Sequence, residues 1–247
     1  MAEKKQALLV FSKPPIPGMV KTRLTTKHGG FLSDEQAAEF FRRSLYDVSE
    51  ACMHALIEMQ RENDALVAAD PTADKITYDF FVSTTPAENV ELMKKTYDEI
   101  GPWPMEIHYI TDKGATFDDH FDDAFKQIFD MGYEHIVSVG GDIPTMPKSH
   151  VTQAFQECGT SLVGSSYNTD INHQGVYYNL NGKPALDAYM EKTAEKNIPI
   201  AYFAPIADID EKVDLAHAIS CMRAIEQAAR YQNELFVPKR VLEWVDF

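Results

Sequence analysis

Short apolar runs separated by helical stretches govern what this chain can become. Ala7 to Phe11, Tyr78 to Val82, Met105 to Ile110, Ile136 to Val139 and Ser161 to Gly164 each read as a strand. Between them the apolar spacing turns helical. Ser33 is a good N-cap with Gln36 three residues on, a capping box. Ala37, Phe40, Phe41, Leu45 and Val48 follow at helical spacing, and the helix continues through Cys52, Leu56 and Met59 until Asp70-Pro71 breaks it. Pro86 starts a short helix through Tyr97. Phe117 to Phe129 places Phe117, Phe121, Phe125 and Ile128 on one face, with Gly132 as C-cap. Met146-Pro147 opens another helix to about Cys158. Strands that alternate with helices imply βαβ units and a largely parallel sheet.

From Tyr167 the pattern loosens. A polar loop leads to a strand at Val176 to Leu180, and Lys183-Pro184 starts a helix to about Glu195. A short strand at Ile200 to Phe203 precedes a long final helix, Val213 to Tyr231. The apolar tail, Leu235 to Phe247, packs either on its own domain or across a homodimer. No linker appears, so the expectation is one α/β domain over residues 1–247, a mostly parallel mixed sheet flanked by helices.

The formal charge of -15 argues against nucleic acid or an anionic membrane surface as partner, since both need a basic face. It also means that any anion must be held by local cations or a bound metal. Cys52, Cys158 and Cys221 are odd in number and widely spaced, which disfavours a disulfide framework or a cysteine zinc site. The N-terminal apolar run spans five residues, too short for a signal segment or a membrane span. A reduced, cytoplasmic protein is the expectation.

Cations gather in one place. Lys13, Lys21 and Arg23 share the loop KPPIPGMVKTRL directly after the first strand. Pro14, Pro15 and Pro17 stiffen that loop, and Gly18 gives it a freely turning position. A rigid basic loop at the carboxyl end of a first strand is where an open α/β sheet holds an anion such as a diphosphate. A solvated basic loop is the plainer alternative. Gly140-Gly141-Asp142 follows the fourth strand in the same way, and makes Asp142 a candidate oxygen ligand for Mg²⁺ or Mn²⁺. Asp208-Ile209-Asp210 offers a second ligand, with at most one of its two carboxylates expected at a metal. Asp210 could equally cap the final helix. Asp170 and His173 are the nearest candidates for a general base, against the commoner case of a loop histidine in water. Asp118, Asp119, Asp122 and Asp123 read as solvent-facing carboxylates offsetting a helix dipole. The basic loop lacks Walker spacing, no G-x-G-x-x-G follows the first strand, and neither a G-x-S-x-G elbow nor an H-E-x-x-H is present.

KPPIPGMVKTRL resembles the K-x-P-x-P-G-x-x-K-T-R-L signature of a bacterial family with the glycosyltransferase-A, or nucleotide-diphospho-sugar transferase, fold. That family is grouped as a domain of unknown function and as glycosyltransferases, some assigned to arsenosugar biosynthesis. Lys13, Pro15, Pro17, Gly18, Lys21, Thr22, Arg23 and Leu24 match it position by position. VGGDIPTMP is similar to its second motif through Gly140, Asp142 and Pro144, and ADIDEKVDL to its closing segment through Asp208, Asp210, Asp214 and Leu215. The chain departs from the family where D-G-G-Y-Y becomes His173-Gln174-Gly175-Val176-Tyr177, and where the metal-binding D-x-D of many such transferases is reduced to Asp142.

The resemblance implies a Rossmann-like fold and a nucleotide-diphospho-sugar-dependent glycosyltransferase. On the residues' own reading, Lys13, Gly18, Lys21, Thr22 and Arg23 are expected at the phosphates, a Mg²⁺ or Mn²⁺ at Asp142 and Asp210, and Asp142 and His173 in catalysis. The partners would be a nucleotide-sugar donor and a small-molecule acceptor. Two alternatives stay open. One is a guanylyltransferase-like nucleotidyltransferase, disfavoured by a proline-rich first loop where a glycine-rich one is usual. The other is a non-catalytic nucleotide-binding protein on the same fold.

Overall fold

The computed structural model describes residues 3–157, 163–166, 169, 171–177, 182–198, 200, 206 and 208–246. Five strands form one sheet: β1 (Glu3–Phe11), β2 (Lys75–Thr84), β3 (Ile107–Thr111), β4 (His135–Gly140) and β5 (Val163–Ser166), in the order β3-β2-β1-β4-β5. The first four run parallel, and β5 is antiparallel to β4. The seven described α-helices are α1 (Asp34–Ala69), α2 (Val90–Asp98), α3 (Phe117–Asp130), α4 (Lys148–Glu157), α5 (Ala185–Glu195), α6 (Lys212–Ala228) and α7 (Lys239–Val245).

The middle of β1 shows why its sequence is a continuous apolar run. Ala7, Leu8, Leu9 and Val10 are all fully buried because both sheet faces are covered. The period of two sorts them. Leu8 and Val10 join Phe80, Val82, Val137 and Val139 under Leu45, Cys52 and Leu56 of α1. Ala7 and Leu9 join Phe81 and Ile136 under Phe121, Phe125 and Ile128 of α3. The capping box at Ser33 and Gln36 forms, and α1 runs on to the residue before Asp70. Gly132 follows α3 with φ at +88°, a backbone state suited to glycine.

The last third departs from the sequence reading. Val176 is buried in a turn rather than in a strand, and residues 178–180 lie outside the described residues, as do 201–203 of the other expected strand. The C-terminal segment packs in cis. Val241 and Leu242 of α7 are buried, and Trp244 meets Phe40 of α1 at 5.4 Å between ring centroids. Among the described residues, no helix is long and apolar enough to cross a membrane.

Candidate functional site

All four parallel strands present their carboxyl ends on one edge, where Phe11 of β1 pairs with Ser83 of β2 and Gly140 of β4. The connections leaving that edge line a cavity of about 1030 Å³. Such an edge is where open α/β sheets bind ligands.

One end of the cavity is built by the basic loop. Its path is pinned by Leu24, fully buried, whose carbonyl accepts from the N–H groups of Phe31 and Leu32 at 2.9 Å each. Gly18 turns with φ at +77°, and Lys21 also adopts a left-handed backbone, with φ at 47° and ψ at 36°. That conformation is uncommon for a side-chain-bearing residue and marks a position held by its surroundings. The Lys21 side chain is only 5% exposed. Its ammonium donates to Asp142 Oδ2 at 2.6 Å and to Asp210 Oδ1 at 3.0 Å. Arg23, far more exposed, donates through Nη1 to Asp210 Oδ2 at 2.8 Å. Burial works against the Lys21 charge, but the carboxylates of Asp142 and Asp210 outweigh it and hold its pKa above the ordinary lysine value. Burial, and then the neighbouring charge of Asp142, pushes Asp208 up to about 6 despite Lys21 nearby.

Lys13, Lys21, Thr22, Arg23, Asp142, Asp208 and Asp210 all line the cavity. Gly18 does not; a Cβ there would lie 3.4 Å from an Asp34 carboxylate oxygen, and the residue serves the turn. Gly140 and Gly141 make room: a Cβ on the first would fall 2.8 Å from Asp142 Oδ1, and on the second 2.7 Å from Leu45 Cδ1. Both Asp208 and Asp210 reach the cavity while Ile209 between them is buried with Leu24 and Leu215. Residues two apart in an extended segment share a side, which brings both carboxylates to the cavity. Asp210 does not cap the final helix either; Glu211 and Asp214 form that capping box.

His173 is not brought to the cavity. It is 2% exposed, and both its N–H and its Nδ1 face Asp122 Oδ1, at 2.9 and 2.5 Å. Phe121, Phe125 and Tyr189 enclose its ring. Asp170 lies outside the described residues. The acidic residues of α3 also differ from the solvent-facing reading. Asp118 is buried and accepts from the N–H groups of Gly175 and Tyr177 at 2.7 and 2.9 Å. Asp119 and Asp123 accept from the N–H groups of Lys113, Ala115 and Thr116. These carboxylates fasten two loops to one helix.

Two cavity residues escaped the sequence reading. Asp112 follows β3 directly, and His120 projects from α3. His120 Nδ1 lies 2.7 Å from Asp112 Oδ1. Asp112 is 2% exposed, and its other oxygen accepts a short hydrogen bond from Ser83 Oγ. The position of Asp112 at a strand end was the available signal, the same one that marks Asp142.

A divalent cation fits the donor chemistry at the basic end. Asp142 and Asp210 already converge on one point, the Lys21 ammonium. Mg²⁺ and Mn²⁺ ask for one or two carboxylates, with phosphate oxygens and water completing the shell. Among the described residues no set of three or more His, Cys, Asp or Glu converges in that way.

Residues 68–166 match a family of uncharacterized proteins conserved in bacteria, DUF2064. No curated protein matches the chain. Among solved structures, a candidate nucleotide-diphospho-sugar transferase from Desulfovibrio desulfuricans G20 overlays with a TM-score of 0.65 at 19% identity, over 98% of this chain and 95% of that one. Rv0371c from Mycobacterium tuberculosis H37Rv gives 0.41 at 10% identity, over 88% and 98%. Its homologue from Mycobacterium sp. strain JC1 gives 0.40 at 13%, over 89% and 98%. The overlay with the Desulfovibrio protein shows that this chain shares that protein's fold.

Proposed function

We propose that the cavity binds a nucleotide-diphospho-sugar and transfers the sugar to a small hydroxyl-bearing acceptor. The observation that carries this reading is the convergence of Lys21, Arg23, Asp142 and Asp210 at the carboxyl edge of β1 and β4. The overlay with the Desulfovibrio protein supports the same fold-level expectation.

Charge explains how such a site would work. Lys13, Lys21 and Arg23 line the cavity together with Asp142, Asp208 and Asp210, three cations and three carboxyl groups. A diphosphate would add negative charge to a balanced site in a protein of charge -15. Binding therefore favours a divalent cation arriving with the nucleotide. Asp142 and Asp210 would hold it, and it would supply electrostatic stabilisation of the departing diphosphate. Lys21 and Arg23, released from their carboxylates, would donate to phosphate oxygens as charge grows on the leaving group. Gly140 leaves room for the Asp142 carboxylate beside it, and Gly141 for Leu45.

A thermal-shift series with nucleotides and sugar nucleotides, with and without Mn²⁺, identifies the donor through stabilisation on binding. Turnover then tests the reaction. Release of free nucleoside diphosphate from the stabilising sugar nucleotide is the expected result. Pyrophosphate exchange with a nucleoside triphosphate would replace this reading by a nucleotidyltransferase. Binding without turnover against any acceptor, water included, would replace it by a binding protein.

A further inference from the structure

Apart from the cluster of Lys21, Asp142 and Asp210, the cavity holds a dyad that the nucleotide does not need. Asp112 leaves β3 and Asp142 leaves β4, and the strand order puts three strand spacings between them, about 14 Å. Asp112 is nearly inaccessible, yet its Oδ1 has no hydrogen bond: His120 Nδ1 stands 2.7 Å away but pairs instead with Thr85 Oγ1 at 3.4 Å. A small rotation of the ring would complete the bond, as catalytic pairs often do only when ligand is present. With Nδ1 turned to Asp112, Nε2 remains, and no hydrogen bond among the described residues engages it. His120 is partly exposed and lines the cavity. Around it the wall becomes apolar: Phe11 and Phe117 meet edge to face at 5.2 Å, and Phe117 and Leu186 remain exposed at the cavity surface.

Resting on the transferase reading above, we infer that His120 is the general base for the acceptor, held by Asp112, and that the acceptor is a hydroxyl compound with an apolar body. The acceptor O–H passes its proton to His120 Nε2. The oxygen lone pair forms the new bond to the anomeric carbon of the sugar. The bond from that carbon to the diphosphate breaks, and its electron pair leaves with the nucleoside diphosphate. Asp112 balances the imidazolium charge and, with Ser83 fixing its other oxygen, orients the ring. Because Asp112 of the dyad leaves β3 while Asp142 leaves β4, three strands along the sheet, attack comes from the face away from the leaving group. The product sugar therefore has inverted anomeric configuration.

The test uses UDP-glucose, GDP-mannose, dTDP-glucose and ADP-glucose as donor probes, with water, glycerol and benzyl alcohol as acceptors. Donor affinity is measured by calorimetry, nucleoside diphosphate release by turnover, and product configuration by NMR. His120→Ala should bind the donor as wild type does and lose turnover by about a hundredfold or more. Added imidazole should restore part of its rate, which a structural role for the ring would not allow. Asp112→Asn should lower kcat without raising the acceptor KM, and imidazole should not rescue it. Benzyl alcohol should outcompete glycerol. Circular dichroism confirms that both variants are folded, and His120→Gln repeats the test should His120→Ala not be. If none of the four donors binds the wild type, the transferase reading itself falls. If a donor binds but turnover survives in His120→Ala, the product retains configuration or glycerol is preferred, the present inference falls alone.

Discussion

Lys21 occupies two costly states at once, a left-handed backbone and a buried ammonium, and both are explained by what it touches. A side chain in that backbone region costs about 1–2 kcal/mol relative to the right-handed form. The two contributions separate by substitution. Lys21→Gly keeps the backbone comfortable and removes the charge; Lys21→Ala removes the charge and keeps the strain. Both should lose nucleotide affinity alike, by about ten- to a hundredfold, for a charge-assisted contact. Thermal unfolding should find the glycine variant the more stable by roughly 0.5–1 kcal/mol, after allowing for glycine's freer unfolded chain. Equal stabilities would mean that the loop relaxes when the ammonium is gone. The sequence made the charge of Lys21 legible, because stiff prolines and cations coincide after an apolar run. It did not make the left-handed backbone legible, since nothing in K-T-R-L asks for one and the tertiary contacts of the ammonium impose it. His173 shows the opposite case. Its residue type drew a functional reading, and its burial against Asp122 and three aromatic rings gives it a structural place.

At the level of elements, a glycine ahead of α1 and a buried carboxylate on α1 fix how neighbouring segments meet that helix. Gly30 lets the chain fold back on Leu24; a Cβ there would lie 2.1 Å from the Leu24 carbonyl. Gly30→Ala must therefore move backbone, not a flexible side chain, and should destabilise the protein by about 1–3 kcal/mol in denaturant titration while weakening nucleotide binding. Unchanged binding in a destabilised variant would show that the loop tolerates displacement. Farther along α1, Asp47 is almost fully buried and accepts from Arg240 Nη1 and Val241 N–H at 2.9 Å each. Burial outweighs those partners and pushes its carboxyl up to about 6. A carboxyl raised in the folded state contributes stability below its unfolded pKa, and that contribution fades as pH rises through the folded value. The stability difference between wild type and Asp47→Asn should thus favour wild type more at pH 4 than at pH 7, on the order of 2–3 kcal/mol. A difference independent of pH would contradict the raised carboxyl. The apolar pattern forecast these helices well, because α1 and α3 each bury one face. The acidic run of α3 misled, since pattern alone does not distinguish a carboxylate in water from one that holds a neighbouring loop by its N–H groups.

Over the whole molecule the sheet was the most legible feature. Parallel strands buried on both faces leave continuous apolar runs that few other arrangements produce, and their order put the loops after β1 and β4 side by side. The dyad was harder to foresee, because Asp112 and His120 are joined only by the packing of α3 against the sheet. A protein of charge -15 that gathers its cations at this edge opposes its own field, and the strength of that local balance decides the account. The most direct measurement is a calorimetric titration of nucleoside diphosphates into wild type and Arg23→Ala, each with and without Mn²⁺. Arg23 is largely exposed, so its removal should leave the fold intact. The expected result is Mn²⁺-dependent binding of at least one nucleoside diphosphate, weakened about three- to tenfold in the variant. Equal affinity in the two proteins, or no binding to either, would contradict it.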